Sequence, residues 1–201
     1  MPYGATRPGG RTARVRDAVL TATDELLDLH GYSGLSLERI ALRAEVHLAT
    51  VRRRWGSVNA IVGDLLTRHS VTLPAPDTGD LRQDLHELAR VIAAFHGNRR
   101  NRNLLEGIIA GAALDPSLGE VIEKAFASRT EQVTGIIHRA ISRGELPAGT
   151  DATGVIAALS APFYYRLLIT RQPVDDELAH TSAECAYHAA RAGVFREPAL
   201  E

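Results

Sequence analysis

The sequence predicts an all-helical protein, with a small N-terminal helix-turn-helix domain of three helices followed by a larger helical domain. Three observations carry that expectation. Apolar residues recur at intervals of three and four through successive segments, as they do on one face of a helix. Each segment is closed by Gly, Pro, Asn or Asp, where helices stop and turns begin. No run alternates between apolar and polar residues with the two-residue period of a strand, and no internal repeat is visible. The chain has 201 residues, 45% of them apolar. That is enough to bury a sizeable core and argues against global disorder.

Residues 1–10, rich in Gly and Pro, are expected to form a flexible arm. Arg7, Arg11, Arg14 and Arg16 lie on it or just after it, either as contacts to a polyanion or as solvated charges. From 11 to 30 apolar side chains fall at Val15, Ala18, Val19, Ala22, Leu26 and Leu29, and Gly31 follows as a helix stop. Ser36 is placed to cap a second helix, with Arg39 where a capping box would carry Glu or Gln. That helix turns Leu37, Ile40 and Ala41 inward and ends near Ala44. The turn Glu45-Val46-His47 leads into a third helix over about 48–55. There Leu48, Val51 and Trp55 share one face while Ala49, Arg52 and Arg53 point away from it. Gly56 stops this helix, and Ser57 caps a longer one through Ala60, Ile61, Leu65, Leu66 and His69.

The segment 74–79 is the clearest boundary in the chain. Beyond it helical patterns cover 80–96, 101–114, 117–143, 151–170 and 175–194, for about nine helices in all. The domain organisation expected from this is an arm over 1–10, a helix-turn-helix domain over 11–57 and a helical domain over 58–201.

The net charge of −1 hides an asymmetry. Residues 1–73 carry ten Lys/Arg against seven Asp/Glu, whereas the remainder carries thirteen against seventeen. A basic first third suggests that this part meets a polyanion. All the basic residues except Lys124 are arginine, whose forked donors suit phosphate and guanine. The run Arg52-Arg53-Arg54 on a short helix after a tight turn is what a major-groove reader needs. Outside that register, such a run is an ordinary solvated face. In a helix-turn-helix geometry, Thr50, Arg52 and Arg54 are positioned for phosphates and Arg53 or Ala49 for base edges. Trp55 is expected to seal the third helix against the fourth.

Gly31-Tyr32, Ser36, Ile40-Ala41, Ala44, Val46, Thr50-Val51, Arg54-Trp55 and Ala60-Ile61 match, in order and spacing, the DNA-binding domain of TetR-family bacterial transcriptional regulators. The chain therefore resembles that family from about Val15 to Leu66. Asp115-Pro116, Arg143-Gly-Glu-Leu146 and the run from Pro162 to Leu168 extend a weaker resemblance into the C-terminal ligand-binding domain of one branch. Four places depart from the pattern. Glu45 stands where the turn usually has Gly, and His47 replaces a Ser cap. Arg52 replaces a Tyr that reaches phosphate, and Val58-Asn59 replaces a Lys-Glu pair.

The resemblance implies a DNA-binding regulator, most simply a repressor, with Ser36, His47, Ala49, Thr50, Arg52, Arg53 and Arg54 on a double-stranded DNA operator. It also implies a homodimer through the last two long helices, with Ile156, Leu159, Phe163, Leu167 and Leu168 on one and Leu178, Ala186, Ala189 and Ala190 on the other. From sequence alone those stripes could equally be internal core. An unknown small-molecule effector is implied between the central helices, where His69, Ile92, Phe95, His96, Ile108, Phe126, Ile137 and Phe163 are candidates to line its pocket. Each of these also reads as ordinary core.

Catalytic and cofactor readings find little support. No His-x-x-x-His pair with a carboxylate neighbour, Gly-x-Ser-x-Gly elbow, phosphate loop or dinucleotide fingerprint is present. No metal or cofactor is expected, and the protein is not expected to be an enzyme. The single cysteine, Cys185, excludes an intramolecular disulfide and suits a reducing, cytoplasmic setting. No segment is expected to approach the roughly 20 apolar residues of a membrane span. The rival to an operator-binding regulator is a ligand-binding protein of the same fold whose operator recognition is weakened, motivated by Glu45 and Val58.

Overall fold

The computed structural model of the chain describes residues 9–71, 75–112 and 116–196. Among them are nine α-helices: α1 (Gly9–His30), α2 (Leu37–Arg43), α3 (Leu48–Trp55), α4 (Val58–Val71), α5 (Leu81–Gly97), α6 (Arg99–Ala112), α7 (Pro116–Ser142), α8 (Ala152–Tyr164) and α9 (Asp176–Arg191). A 3₁₀ turn, Tyr32–Gly34, joins α1 to α2, and α8 continues into a π-helical stretch, Tyr165–Thr170. No strand occurs among the described residues, only an isolated antiparallel bridge between Thr150 and Arg196. The all-helical expectation holds. Helix α1 already includes Gly9 and Gly10, so the inner end of the expected arm is helical. Residues 1–8, with Arg7, lie outside the described residues, as do Pro74 and Asp115.

Local chemistry explains where the helices begin. Ser36 Oγ accepts from Arg39 N at 3.1 Å, and Ser57 Oγ accepts from Ala60 N at 3.2 Å. Asp80 and Asp175 do the same for α5 and α9, accepting from Gln83 N at 2.8 Å and Leu178 N at 2.9 Å. Each satisfies an amide that the first helical turn leaves without a partner.

The helices gather into two compact units. The first holds the described residues up to His69 together with Asn103–Glu123, and the second holds the rest. Helix α4 therefore groups with the first unit up to His69, although the sequence reading began a second domain at residue 58. Apolar periodicity marks an inward face without naming its partner. For α4 the partner includes Val121: a Cβ added at Gly63 would stand 2.5 Å from Val121 Cγ1. Glycine is equally required at Gly107, where a Cβ would stand 2.4 Å from the Cβ of Tyr32.

The first unit buries Val19, Leu20 and Leu27 of α1, Ile40 of α2, Val51 of α3, Ile61 and Leu65 of α4, and Leu104, Leu105 and Ile108 of α6. In the second unit α5 packs along α9 and α8. Its core joins Leu81, Leu85 and Leu88 with Ile136 and Ile137, Val155, Leu159 and Phe163, and Ala179, Ala183 and Ala190. Glu184 of α9 ties that packing to α5: it takes two hydrogen bonds from Arg82, each 2.8 Å, and contacts His86 Nε2 at 2.5 Å.

One sequence expectation needs correction. The stretch Ala152–Thr170 has 19 residues with a mean hydropathy of 1.3 over its most apolar window, long and apolar enough to cross a membrane, and 33% of that window is buried. Gly154, Ser160 and Pro162 interrupt the apolar run, which hid it from a search for an unbroken span. The core helix of a soluble protein meets the same test of length and composition.

Candidate functional site

The turn before α3 is built by backbone geometry. Val46 N donates to Ala41 O at 3.0 Å and Glu45 N donates to Leu42 O at 3.2 Å, the paired bonds of a Schellman helix end. That motif puts its central residue in the left-handed region, and Glu45 has φ +54. This is the physical reason for glycine in the family pattern, and here a residue with a Cβ fills the position. His47 precedes α3 without a side-chain cap, as its chemistry predicts.

Helix α3 buries Val51 and half-buries Leu48 and Trp55, leaving Ala49, Arg52, Arg53 and Arg54 exposed. An open groove of about 710 Å³ runs beside it, lined by Thr12, Val15, Glu45, Val46, His47, Thr50, Arg53 and Arg54. Of the seven residues expected on DNA, His47, Thr50, Arg53 and Arg54 line this groove, and Ala49 and Arg52 stand on the exposed face of the same helix. Ser36 serves as the α2 cap.

The three arginines differ in their surroundings. Arg52 Nη2 donates to Glu38 Oε1 of α2 at 2.6 Å, with both side chains more than half exposed. Glu38 is held below the usual carboxylate range, first by a backbone hydrogen bond at the helix start and then by Arg52. Arg54 donates to Thr12 O at 3.1 Å and its guanidinium lies 4.9 Å from the Trp55 ring centre, a cation–π distance. Arg53 is exposed at the groove.

Behind this face, Asp64 of α4 joins three helices. It accepts from Arg16 Nε at 3.0 Å and Nη2 at 2.7 Å, and from Trp55 Nε1 at 3.1 Å. Trp55 ties α3 to α4 through this hydrogen bond. Arg16 belongs to this knot rather than to a free arm. Asn59, one of the departures from the family pattern, accepts from the Tyr32 hydroxyl and donates to Ser117 Oγ at 3.3 Å. Sequence reading missed Asp64, Glu38 and Asn59 as partners, because no spacing rule links residues on different helices.

The residues expected to line an effector pocket do not all come together. His69 and Ile108 belong to the first unit: His69 Nε2 lies 3.7 Å from Asp24 Oδ1, and Ile108 is buried there. Ile92, Phe95, His96, Phe126, Ile137 and Phe163 belong to the second. Four of these form a ring cluster with Tyr164, which the sequence reading left out. His96 stacks near Phe163 with centroids 6.0 Å apart, meets Tyr164 edge-on at 5.0 Å and Phe95 at 5.6 Å, and Phe126 meets Tyr164 at 5.7 Å. Burial pushes the Tyr164 hydroxyl well above its usual range and lowers the pKa of Arg129 beside it. Tyr164 could have been found next to Phe163, but a helical wheel fails where α8 widens into a π-helix.

The residues expected at a dimer interface are also relocated. Ile156, Leu159, Phe163, Leu167, Leu178, Ala186 and Ala190 are buried inside their own chain, so their stripe is internal core. Ala189 and Leu168 are half-buried. The exposed apolar face of α8 and its continuation carries Ala157, Ala158, Ala161, Tyr165 and Ile169 instead.

Comparison with known proteins adds the family context. Residues 75–186 match the family described as the tetracyclin repressor-like, C-terminal domain. The HTH-type transcriptional regulator YdeS of Bacillus subtilis is 33% identical over 161 residues, covering 79% of this chain and 81% of YdeS. The crystal structure of the TetR family transcription regulator SCO0332 superposes with a TM-score of 0.73 at 28% identity, over 87% of this chain and 97% of that one. The multidrug binding protein EbrR, solved with proflavin, shares the fold with a TM-score of 0.57 at 22% identity, over 86% and 99% of the two chains.

Proposed function

The chain belongs to the TetR family of transcriptional regulators and is a DNA-binding regulator; from that premise we propose that it is a homodimeric repressor released from its operator by a small molecule. Its family and relatives are regulators rather than enzymes. One observation carries the DNA end of the reading: α3 turns Ala49, Arg52 and Arg53 outward beside a groove that Thr50, Arg53 and Arg54 help to line. In this reading Thr50, Arg52 and Arg54 meet phosphates, and Arg53 and Ala49 meet base edges in the major groove.

A helix of eight residues spans only a few base pairs, so the protein binds as a dimer to two half-sites. The exposed face of α8, with Ala157, Ala158 and Ala161, is the surface offered to the second copy. Small side chains let two helices approach closely, and covering them removes apolar area from water. Ala157→Glu should convert the dimer to a monomer in analytical ultracentrifugation at micromolar concentration. A variant that stays dimeric places the interface elsewhere.

The effector site lies in the second unit, at the rings around His96, and its occupant biases the dimer toward a geometry that fits the operator poorly. The fold also holds proflavin in EbrR. A salt-dependent gel shift with the DNA flanking its own gene tests the regulator. Specific retention at physiological salt supports it. Binding that is wholly non-specific supports a ligand-binding protein with weakened operator recognition, a reading favoured by Glu45 and by the Glu38–Arg52 ion pair.

A further inference from the structure

We propose that His96 anchors the effector: its Nε2 accepts a hydrogen bond from a hydroxyl or ring N–H of an uncharged, flat aromatic molecule lodged among Phe95, Phe126, Phe163 and Tyr164. This rests on the effector-responsive reading above and gives its ligand a chemical class.

The tautomer of His96 follows from its first contact. Nδ1 lies 2.8 Å from Ile92 O. A carbonyl only accepts, so Nδ1 carries the hydrogen and donates. Burial, and then the charge of Arg102, hold the ring below its usual pKa against the opposing effect of the Ile92 bond, which leaves it neutral. Its Nε2 is therefore a lone-pair acceptor. His96 is 2% exposed, and among the described residues no group hydrogen-bonds Nε2. Native interiors pair their buried polar atoms, and an exception calls for an explanation.

The surroundings say what kind of molecule would pair it. One ring stacks on His96 and two meet it edge-on, an arrangement that favours another flat ring over an aliphatic chain. Arg102 and Arg129 bring positive charge to the cluster, which disfavours a cationic effector. Only a donor can satisfy Nε2, which gives the hydroxyl or N–H.

The backbone around these rings is irregular on both sides. His96 is the penultimate residue of α5, which stops at Gly97 before the extended Asn98. Phe163 and Tyr164 follow Pro162 inside α8, and the π-helical stretch begins at the next residue. Such widened turns recur at functional sites. Three of the five rings thus hang beside a helix end or a helix irregularity.

The test uses a matched pair of probes on the full-length protein, 2-naphthol and 2-methoxynaphthalene, which differ in the donor. Isothermal titration should show 2-naphthol binding about fivefold tighter, the size of one net hydrogen bond. His96→Phe should remove that preference while leaving 2-methoxynaphthalene within about twofold, and His96→Gln, which keeps an acceptor, should retain part of it. Should a variant fail to fold, the ¹⁵N resonance of His96 Nε2 in the unaltered protein decides: it should move with 2-naphthol and stay with 2-methoxynaphthalene. Equal affinities, an unmoved Nε2 resonance or no binding of either probe overturns the assignment. A gel shift on the same samples reads the DNA function separately. Operator binding without naphthol discrimination sinks only the role of His96, and discrimination without operator binding sinks only the regulator reading.

Discussion

Replacing Glu45 by glycine tests the recognition turn in two independent ways, through backbone strain and through charge. Glu45 sits at φ +54 in the centre of the Schellman bonds from Val46 to Ala41 and from Glu45 to Leu42. A residue with a Cβ pays about 1–2 kcal/mol in the left-handed region. Glycine removes that strain but gives back about 0.4–1 kcal/mol through the greater freedom of the unfolded chain. The net gain is about 0.5–1 kcal/mol, which raises the melting temperature by about 1–4 °C for a chain of this size. The charge acts separately, because Glu45 lines the same groove as Arg53 and Arg54. A carboxylate about 8 Å from a phosphate in water costs about 0.5 kcal/mol, or roughly twofold in affinity. Salt screens that effect, with a Debye length of about 10 Å at 0.1 M. Calorimetry should show Glu45→Gly melting higher than the parent, while Glu45→Ala, which keeps the Cβ, shows no such gain. Fluorescence anisotropy on a DNA duplex should show both variants binding more tightly, with the difference shrinking between about 50 and 200 mM salt. The reasoning fails if glycine lowers the melting temperature, or if alanine raises it by as much.

Three further expectations follow from other contacts. Glu38→Gln releases Arg52; binding to non-specific duplex should tighten and the salt slope should steepen by about one, and an unchanged slope would mean that Arg52 meets no phosphate. Asp64→Asn weakens the knot of Arg16 and Trp55 and should cost about 1–3 kcal/mol in urea unfolding. Burial pushes the Asp64 carboxyl up, but the Arg16 and Trp55 hydrogen bonds outweigh it and hold the folded pKa below the usual value. Its contribution is thus present above the unfolded pKa of about 3.9 and lost as pH falls through the folded value, so the variant should lose less stability than the parent on acidification. Gly107→Ala forces a Cβ to within 2.4 Å of Tyr32 Cβ and should destabilise by about 1–3 kcal/mol in thermal unfolding; an unchanged melting temperature would mean that the two segments can move apart at no cost.

Much of the helix-turn-helix segment is legible in the sequence because its signals are local. A Ser followed by an apolar period is enough to place the caps at Ser36 and Ser57. The order small, apolar, aromatic along α3 is enough to turn Val51 inward and Arg53 outward. Glu45 is visible in the sequence as a departure from glycine, yet its meaning comes only with the backbone conformation, φ +54. The effector residues were legible one by one and not as a set: His69 and Ile108 carry the same apolar or aromatic signal as Phe95 and Phe163 but belong to the other compact unit. The spacing of Ile156, Leu159 and Leu167 marks a buried face and leaves open whether it is internal core or a surface between two copies, since both leave the same spacing; the structure buries these residues within their own chain.

The sequence was sufficient for the helices, their ends and the cationic face of α3, because periodicity, caps and turns are interactions among residues a few positions apart. Tertiary structure decided the pairing of Arg52 with Glu38, the junction at Asp64, the isolated acceptor on His96 and the bare alanine face of α8. These depend on which helix lies against which face, and that is settled by competition among many apolar stripes of similar spacing rather than by any one stripe.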